Sequence, residues 1–335
     1  MKKSNKKYPL EKSCFYKLPS KKKLSEILGV NVSTLEEISS SNDKNFIESA
    51  VKDYRLVRVK DYAELNDKNI REKIEMPNGK KFAIAAVKER LCQTPKGNKK
   101  EGLYKIHQRL SFLLSSIQTK EYLFSGTKGR SCLDNAKFHL ENSDKYLVKL
   151  DLKGFFPSVT FESIFNFFEK DLKCRTPVAK IFAQILTFKN HLPTGSPVSM
   201  VMAYYANKKM FDEIDEISSN YRCKMSLWVD DIIISGDNAV KVAEEAKKII
   251  VKHGLSYNKK KFKVYQPSDN KEITGIVITP KGELKLRNRS HLKIHDLKNK
   301  KNKTKEETAK LNSYLSEARQ IEVGKFAAIP KNNTN

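Results

Sequence analysis

Three aspartates in this chain have the surroundings that metal-dependent chemistry needs. Residues 146–151 form an apolar, strand-like segment that ends in Asp151, and Asp230 and Asp231 lie between two short apolar runs. Carboxylates on neighbouring strands can hold two Mg²⁺ ions about 3.5–4 Å apart, the arrangement that phosphoryl transfer uses. Adjacent aspartates could instead mark a solvated turn, but apolar flanks predict a buried hairpin, where unpaired acids are costly. The acids therefore predict a magnesium site for phosphoryl transfer.

The segments around these acids alternate between strand and helix patterns. Thr160 is a candidate N-cap for a helix with apolar residues every three to four positions, and Ser196-Pro197 is typical of another helix start. Residues 239–253 are amphipathic and end at Gly254, while residues 272–279 predict one strand. Short connections between such elements favour an α+β core with an antiparallel sheet.

The charge of the chain indicates a polyanionic partner. Its 335 residues include 65 Lys and Arg against 39 Asp and Glu, a net charge of +26. Such a surplus favours nucleic acid as the partner, although a generally Lys-rich proteome would give the same composition. The Lys-rich start lacks the apolar core of a signal peptide, no apolar run is long enough for a membrane span, and five scattered cysteines form no CxxC pair. A reducing cytoplasm without membrane contact is expected.

Four motifs, in order, resemble those of reverse transcriptases. They are Asp151-Leu-Lys-Gly-Phe-Phe-Pro-Ser158, Leu192-Pro-Thr-Gly-Ser-Pro-Val-Ser199, Trp228-Val-Asp-Asp231, and Gly254-Leu-Ser-Tyr-Asn258 followed by Lys261. The resemblance covers roughly residues 70–290. It implies an α+β right-hand polymerase with fingers, a palm with an antiparallel catalytic sheet, and a small helical thumb. The implied activity is that of an RNA-directed DNA polymerase, a nucleotidyltransferase that uses two Mg²⁺ ions and dNTP substrates.

Two further motifs are similar to those of bacterial retron reverse transcriptases. Asn135-Ala-Lys-Phe-His139 precedes the first catalytic strand, and Ile273-Thr-Gly275 lies near the end of the palm. This resemblance implies copying of a structured noncoding RNA, priming from an RNA 2′-hydroxyl, an RNA–DNA hybrid product (msDNA), and antiphage defence beside an effector protein. A non-retron defence enzyme, an intron-type enzyme, and a polymerase-shaped scaffold that sequesters an effector remain alternatives.

The family resemblance also implies roles for individual residues. Asp151 and Asp230 would hold both metals, Asp231 would support them, and the carbonyl of Leu152 would complete a metal's oxygen shell. The nucleotide-binding candidates are Phe155, Phe156, Thr194, Gly195, Lys80, Lys81 and Lys261. The RNA-binding candidates are Asn135, His139, Lys298, Lys300, Lys301 and Lys303.

Several of these residues have simpler alternatives. Phe156 is expected to exclude the ribose 2′-hydroxyl but could be a core residue, and His139 could be a hydrogen-bonded structural histidine. Lys80 and Lys81 could lie at a solvated hairpin end, and Lys261 could belong to a plain basic face instead of serving pyrophosphate. Thr194 departs from the family pattern, which has Gln there.

The resemblance divides the chain into four predicted regions. Residues 1–70 form a basic helical lead-in, 71–145 the fingers, 146–280 the palm with part of the fingers, and 281–335 the thumb and C-terminal tail.

Overall fold

The computed structural model describes residues 7–59, 70–75, 81–300 and 302–322. The chain divides into two compact units. Unit 1 comprises Met1–Gln118 and Phe156–Ala206, and unit 2 comprises Thr119–Phe155 and Asn207–Asn335.

Unit 1 combines a three-stranded antiparallel sheet with helices. The strands lie in the order β1-β3-β2. They are β1 (Phe46–Val59), β2 (Ile70–Glu75) and β3 (Lys81–Pro95). The helices are α1 (Lys21–Leu28), α2 (Val32–Ser40), α3 (Gly102–Ser115), α6 (Phe161–Asn166) continued by a π-helical turn (Phe167–Asp171), α7 (Thr176–Leu186) and α8 (Ser199–Ala206), with 3-10 turns at Leu10–Lys12 and Asn42–Asn45.

Unit 2 contains a four-stranded antiparallel sheet that carries the aspartates. Its order is β5-β6-β4-β7, and helix α10 packs against β4 and β6. The strands are β4 (Leu147–Asp151), β5 (Lys224–Trp228), β6 (Asp231–Ser235) and β7 (Lys263–Tyr265). The helices near this sheet are α4 (Cys132–Phe138), α9 (Lys208–Asn220) and α10 (Ala239–Lys252), with a 3-10 turn at Leu140–Asn142, and α5 (Phe155–Ser158) crosses the boundary between the units.

A second small sheet and two C-terminal helices complete unit 2. The strands β8 (Lys271–Ile273), β9 (Ile276–Ile278) and β10 (Leu284–Leu286) lie in the order β10-β9-β8, and the helices are α11 (Asn288–Asn299) and α12 (Lys305–Ile321). Leu311 and Leu315 of α12 are buried in one apolar cluster with Leu147 of β4 and Ile233 of β6. This cluster stabilises the packing of the C-terminal helices on the four-stranded sheet, because burying each such side chain contributes about 1.5–3 kcal/mol.

Most predicted elements are confirmed. The aspartates do follow and join buried strands, Thr160 does cap α6 by accepting a hydrogen bond from Ser163 N–H, and α10 does end before Gly254, which has φ +77°. The mixed α+β character is confirmed as well. No helix in the described part of the chain is both long and apolar enough to cross a membrane.

Three predictions about elements were wrong or incomplete. The single strand over 272–279 is instead the β8–β9 hairpin, because Thr274 and Gly275 both have positive φ and reverse the chain. The helix predicted to start at Pro197 starts at Ser199, since the Ser196 hydroxyl accepts a hydrogen bond from Val198 N–H in a preceding turn. Strand β1 was missed, because charged residues interrupt its apolar pattern.

Candidate active site

The three aspartates lie together at one end of the four-stranded sheet of unit 2. Asp151 is the last residue of β4, and Asp231, the first residue of β6, pairs with it in the antiparallel register. Asp230 precedes Asp231 in the two-residue loop between β5 and β6. One carboxylate oxygen from each residue lies within 4.8 Å of the other two. The predicted clustering of these acids is confirmed.

The loop that carries Asp230 has an unusual backbone conformation. Val229 has φ +58°, in the left-handed region that β-branched residues rarely adopt. Ser125 Oγ accepts a hydrogen bond from Val229 N–H at 2.8 Å, and Leu152 N–H donates to the Asp230 carbonyl at 2.9 Å. Such strain costs on the order of 1–3 kcal/mol and persists only where surrounding contacts enforce it. The orientation of Asp230 is therefore set by bonds from the rest of unit 2.

The acids repel one another in a partly desolvated site. Burial raises the pKa of Asp230, and the neighbouring charges of Asp151 and Asp231 raise it further. Burial also raises the pKa of Asp231, where Lys149 opposes the shift and Asp151 adds to it. Like charges at this spacing favour either proton uptake or a bound cation. The acids thus carry a cost in the metal-free protein that a divalent cation would remove.

Lys261 supplies a positive charge at the same cluster. Its Nζ lies 2.5 Å from Asp151 Oδ2, and this hydrogen bond raises the pKa of the Lys261 ammonium. The Lys261 side chain is 60% exposed whereas that of Asp151 is 10% exposed. Asn258 N–H donates to the Asp151 carbonyl at 2.7 Å, which ties the loop after α10 to β4. Backbone and side-chain hydrogen bonds therefore join the motif that contains Lys261 to the motif that contains Asp151.

The donor set fits a magnesium-type ion. Asp151, Asp230 and Asp231 offer only carboxylate oxygens, the hard ligands that Mg²⁺ prefers. Their mutual repulsion and partial burial are the conditions under which a cation is bound in place of protons. The residues present could therefore hold a divalent cation.

Comparison with known proteins identifies the family. Residues 87–278, more than half of the chain, match the model of the family described as reverse transcriptase (RNA-dependent DNA polymerase). The chain belongs to the reverse transcriptase family. The predicted fold class, an α+β right-hand polymerase, is thereby confirmed.

Three sequence relatives of this reverse transcriptase are named as retron enzymes. The retron Ec86 reverse transcriptase of Escherichia coli is 26% identical over 170 residues, which are 50% of this chain and 52% of that protein. The retron Ec73 reverse transcriptase of Escherichia coli is 26% identical over 234 residues, which are 63% and 73% of the two chains. The retron Mx65 reverse transcriptase of Myxococcus xanthus is 24% identical over 190 residues, which are 50% and 44%. The match spans about half the length of the Ec86 and Mx65 proteins, and the predicted resemblance to retron-type enzymes is confirmed.

Two telomerase structures are similar to this chain. A telomerase from Candida albicans, solved with the TWJ fragment of telomeric RNA, superposes with a TM-score of 0.47 at 13% identity, over 85% of this chain and 57% of that one. An apo telomerase from Candida tropicalis gives a TM-score of 0.45 at 14% identity, over 77% and 61%.

Two predicted site residues next to the acids are buried in unit 2. Leu152 forms an isolated antiparallel bridge with Tyr257, and only 1% of its surface is exposed. Phe155 is 4% exposed and packs edge-on against Phe211 with ring centroids 6.1 Å apart. The contacts of Phe155 are those of a core residue. The carbonyl role of Leu152 and the nucleotide contact of Phe155 remain predictions.

Apart from Lys261, the other nucleotide-binding candidates belong to unit 1. Phe156 is half-buried, and Lys81 opens β3 opposite Glu75 of β2, while Lys80 lies outside the described residues. Thr194 is exposed, and its hydroxyl donates to the Leu91 carbonyl at 3.1 Å. The roles of these residues toward a nucleotide remain predictions.

Gly195 is required by a close approach to β3 within unit 1. Its N–H donates to the Gln93 carbonyl at 3.0 Å. A Cβ at this position would lie 2.6 Å from Cys92 Sγ and 2.7 Å from Thr94 Oγ1. Gly195 was predicted to bind a nucleotide, but the close approach that the structure displays is to the protein's own strand, and the nucleotide contact remains a prediction. A larger residue would push the loop away from β3.

Two residues that the sequence did not predict hold the loop at residues 194–196. The Gln93 side-chain Oε1 accepts hydrogen bonds from Thr194 N–H at 3.3 Å and from the Thr194 hydroxyl at 3.2 Å. His107 Nε2 lies 2.7 Å from the Ile185 carbonyl, which can only accept, so Nδ1 accepts from the Ser196 hydroxyl at 2.6 Å. Burial lowers the pKa of His107 to about 4, which keeps the ring neutral. No sequence signal marks either residue, because both act on a loop about 90–100 positions away.

Asn135 and His139, predicted to bind RNA, are buried in unit 2. Asn135 is 0% exposed and His139 is 1% exposed. His139 Nδ1 lies 2.7 Å from Ser235 Oγ, and its Nε2 lies 2.8 Å from Ser226 Oγ. These contacts are those of the structural histidine that was the alternative interpretation. A role of the motif in RNA recognition remains a prediction, and burial disfavours direct contact.

The predicted RNA-binding lysines lie between α11 and α12. Lys298 and Lys300 are exposed, and Lys300 Nζ pairs with Glu307 at 2.6 Å. Lys303 Nζ donates to the carbonyls of Lys298 and Lys300 at 2.9 and 2.6 Å, so its ammonium also closes the interhelical turn. Lys301 lies outside the described residues. Contact of these lysines with RNA remains a prediction.

Proposed function

We propose that this protein is an RNA-directed DNA polymerase that extends a primer with dNTPs. The observation that supports this most directly is the cluster of Asp151, Asp230 and Asp231, whose carboxylate oxygens lie within 4.8 Å of one another. Membership of the reverse transcriptase family supplies the reaction class, and the cluster supplies the acids that the reaction needs.

Each residue of the cluster has a distinct task in the proposed reaction. Asp151 and Asp230 would hold two Mg²⁺ ions, with Asp231 supporting them. When bound, these ions would lower the pKa of the primer hydroxyl and offset the charge of the pyrophosphate that leaves. Lys261 has an exposed side chain whose ammonium lies beside Asp151. It would either donate a proton to that pyrophosphate or offset its negative charge. The half-buried Phe156 ring would exclude the 2′-hydroxyl of a ribonucleotide.

The template is proposed to be a structured noncoding RNA of the retron type. Three relatives named as retron reverse transcriptases, together with the motifs at residues 135–139 and 273–275, support this setting. Priming from an RNA 2′-hydroxyl would then give an RNA–DNA hybrid, the msDNA. The net charge of +26 suits such a polyanionic partner. Action in antiphage defence beside an effector protein completes the proposal.

The test is to sequence the nucleic acid that co-purifies with the protein. The full chain is expressed with its flanking genomic region, and the bound nucleic acid is treated separately with RNase and with DNase. One short DNA joined to one structured RNA is expected, and it should be absent when the expressed chain carries Asp230→Asn. Bound RNA with no DNA in either preparation would favour a scaffold that sequesters an effector. Unjoined DNA of many sequences would favour a non-retron enzyme.

A further inference from the structure

A buried imidazole bridges the two strands that carry the catalytic loop. His139 contacts Ser226 of β5 through Nε2 and Ser235 of β6 through Nδ1, at 2.8 and 2.7 Å. Both serines are 0% exposed. Asn142 Nδ2 donates to the Ser235 carbonyl and to Ser235 Oγ at 3.1 and 3.0 Å. Ser235 Oγ therefore has two polar side-chain partners, Asn142 and His139.

The bridge depends on the register between β5 and β6. Ser226 pairs with Ile233, and Ser235 pairs with Lys224, so the two serines are diagonal neighbours. Alternation along the strands places them on the same face of the sheet as Asp231. Diagonal neighbours lie about 7–8 Å apart, a distance that one imidazole ring with two hydrogen bonds can span. A slip of one residue would turn a serine to the other face and break the bridge.

The helix that presents His139 is itself anchored. Ser131 and Asp134 form a reciprocal capping box at the start of α4. The Thr274 hydroxyl, from the β8–β9 turn, donates to the Cys132 carbonyl at 3.1 Å. At the other end of the helix, Lys224 Nζ donates to the Phe138 carbonyl at 3.2 Å. The imidazole therefore extends from a fixed support.

The catalytic hairpin needs such a support. Strand β5 is the outermost strand of the four-stranded sheet, and its Leu227 bonds on the outer side to Tyr122 and Phe124. The loop after β5 contains Val229 in a strained conformation. Ser226 is two residues, about 7 Å of strand, before Trp228, where the loop begins. Displacement of the loop would separate Asp230 and Asp231 from Asp151.

We propose that His139 is a positioning residue for the catalytic acids, acting as a clamp that ties Ser226 to Ser235 and so holds the loop with Asp230 and Asp231 in place. The clamp rests on the proposed polymerase function for its effect on catalysis. It assigns the Asn135–His139 motif a task inside the palm instead of at an RNA surface. The imidazole touches no reacting atom.

The test distinguishes an effect of the clamp on the position of the acids from an effect on the stability of the fold. Ser226→Ala with Ser235→Ala removes the hydroxyls and leaves the imidazole unpaired, and adding His139→Phe makes the whole set apolar. Replacing both partners of a buried hydrogen bond can be nearly neutral for stability, so the triple variant should regain much of the melting temperature that the double variant loses. Ser218→Ala is the matched control, because Ser218 is also 0% exposed in unit 2 and donates to the Ile214 carbonyl at 2.7 Å.

The clamp predicts that catalysis stays impaired after stability is restored. With an externally annealed primer, kcat of the triple variant should fall about tenfold or more, since a misplacement of about 1 Å can cost about 10²-fold in rate. Its Mn²⁺ dissociation constant, measured by electron paramagnetic resonance on a primed template, should rise at least about threefold. Self-primed and externally primed synthesis should fall equally. Ser218→Ala should leave kcat and Mn²⁺ affinity within about twofold of the wild type.

Other outcomes overturn the clamp. A triple variant with wild-type kcat and Mn²⁺ affinity would show that the bridge serves stability alone. Loss confined to self-primed synthesis would return the motif to RNA recognition. If the wild type extends no primer, the proposed function fails, and Mn²⁺ affinity alone then tests the clamp. Weaker Mn²⁺ binding by the triple variant would support the clamp. Unchanged or undetectable Mn²⁺ binding would overturn the clamp.

Discussion

Lys261 Nζ lies 2.5 Å from Asp151 Oδ2, so one of the three acids already has a cationic partner in the metal-free protein. The ammonium group and a metal ion would compete for the same carboxylate. Because the Lys261 side chain is 60% exposed, its ammonium can turn into solvent, and a metal ion would then offset the charge of the Asp151 carboxylate, which is only 10% exposed. Lys261 and Asp151 therefore lie where the proposed metal ions would bind and where pyrophosphate would leave.

Lys261→Met should slow chemistry without weakening metal binding. Loss of a general acid costs about 10²–10⁴-fold in rate, so the single-turnover extension rate should fall by at least about 10²-fold. Mn²⁺ affinity should stay equal or increase, because a competing cation is removed. The matched control is Lys248→Met, a change on α10 at a lysine that pairs with Glu245. Weaker Mn²⁺ binding with an unchanged rate would contradict this role.

Asp230→Asn should abolish extension and stabilise the metal-free protein. Extension in Mg²⁺ should fall by several orders of magnitude, because a ligand is lost. The folded-state pKa of Asp230 is raised, so its charge costs stability once the pH exceeds the unfolded value. In EDTA at pH 7 the variant should therefore have a higher unfolding free energy than the wild type, measured by urea unfolding. Asp237→Asn, at an exposed acid that pairs with Lys145, should change neither quantity.

Phe156→Ala should admit ribonucleotides. If the ring excludes the 2′-hydroxyl, discrimination should fall by about 1–3 kcal/mol, measured as the ratio of kcat/KM for a dNTP and its rNTP. Phe182→Leu serves as the control, since Phe182 is 0% exposed and stacks on Phe168. It should lower the melting temperature and leave that ratio unchanged. An unchanged ratio in Phe156→Ala would assign Phe156 to the core.

Neutralising the basic turn before α12 should weaken binding to structured RNAs in general. Changing Lys300, Lys301 and Lys303 to Gln together should flatten the plot of log affinity against log salt concentration by up to about three in slope. Because Lys303 also donates to two backbone carbonyls, a small fall in melting temperature should accompany the change. Filter binding at several salt concentrations checks the slope. A slope identical to that of the wild type would remove these lysines from the RNA interface.

Two buried histidines predict a loss of stability in mild acid. Burial lowers the pKa of His107 to about 4 and that of His139 to about 3, against an ordinary value near 6.5. Between these values the unfolded chain binds more protons, so the unfolding free energy should fall as the pH drops below about 6.5, by up to about 1.4 kcal/mol per pH unit for each histidine. The raised pKa values of Asp230 and Asp231 act in the opposite direction.

Urea unfolding of variants isolates the histidine contribution. His139→Gln should flatten the decline between pH 7 and pH 5, since the glutamine does not titrate. His295→Gln is the control, because the His295 side chain is 71% exposed, and its pH profile should follow that of the wild type. Equal slopes for His139→Gln and the wild type would contradict the assignment.

The amino-acid sequence alone was enough to predict the clustered aspartates, the order of the motifs and the fold class. Asp151, Asp230 and Asp231 were identifiable because apolar strands flank them, and periodicity located α6 and α10. These signals are local: each depends on residue types within about ten positions, where strand and helix periods are legible.

Only the tertiary structure decided which residues support the site. His139 contacts Ser235, 96 positions away, and Lys261 contacts Asp151, 110 positions away. Such pairs depend on which strands are neighbours and on their register, and local periodicity determines neither of them. The split of residues 272–279 into a hairpin depends likewise on positive φ at Thr274, which its residue type does not favour. Asn135 and His139, which were predicted to contact RNA, are buried in unit 2. The sequence did not reveal this burial, because it depends on how α4 packs against the sheet.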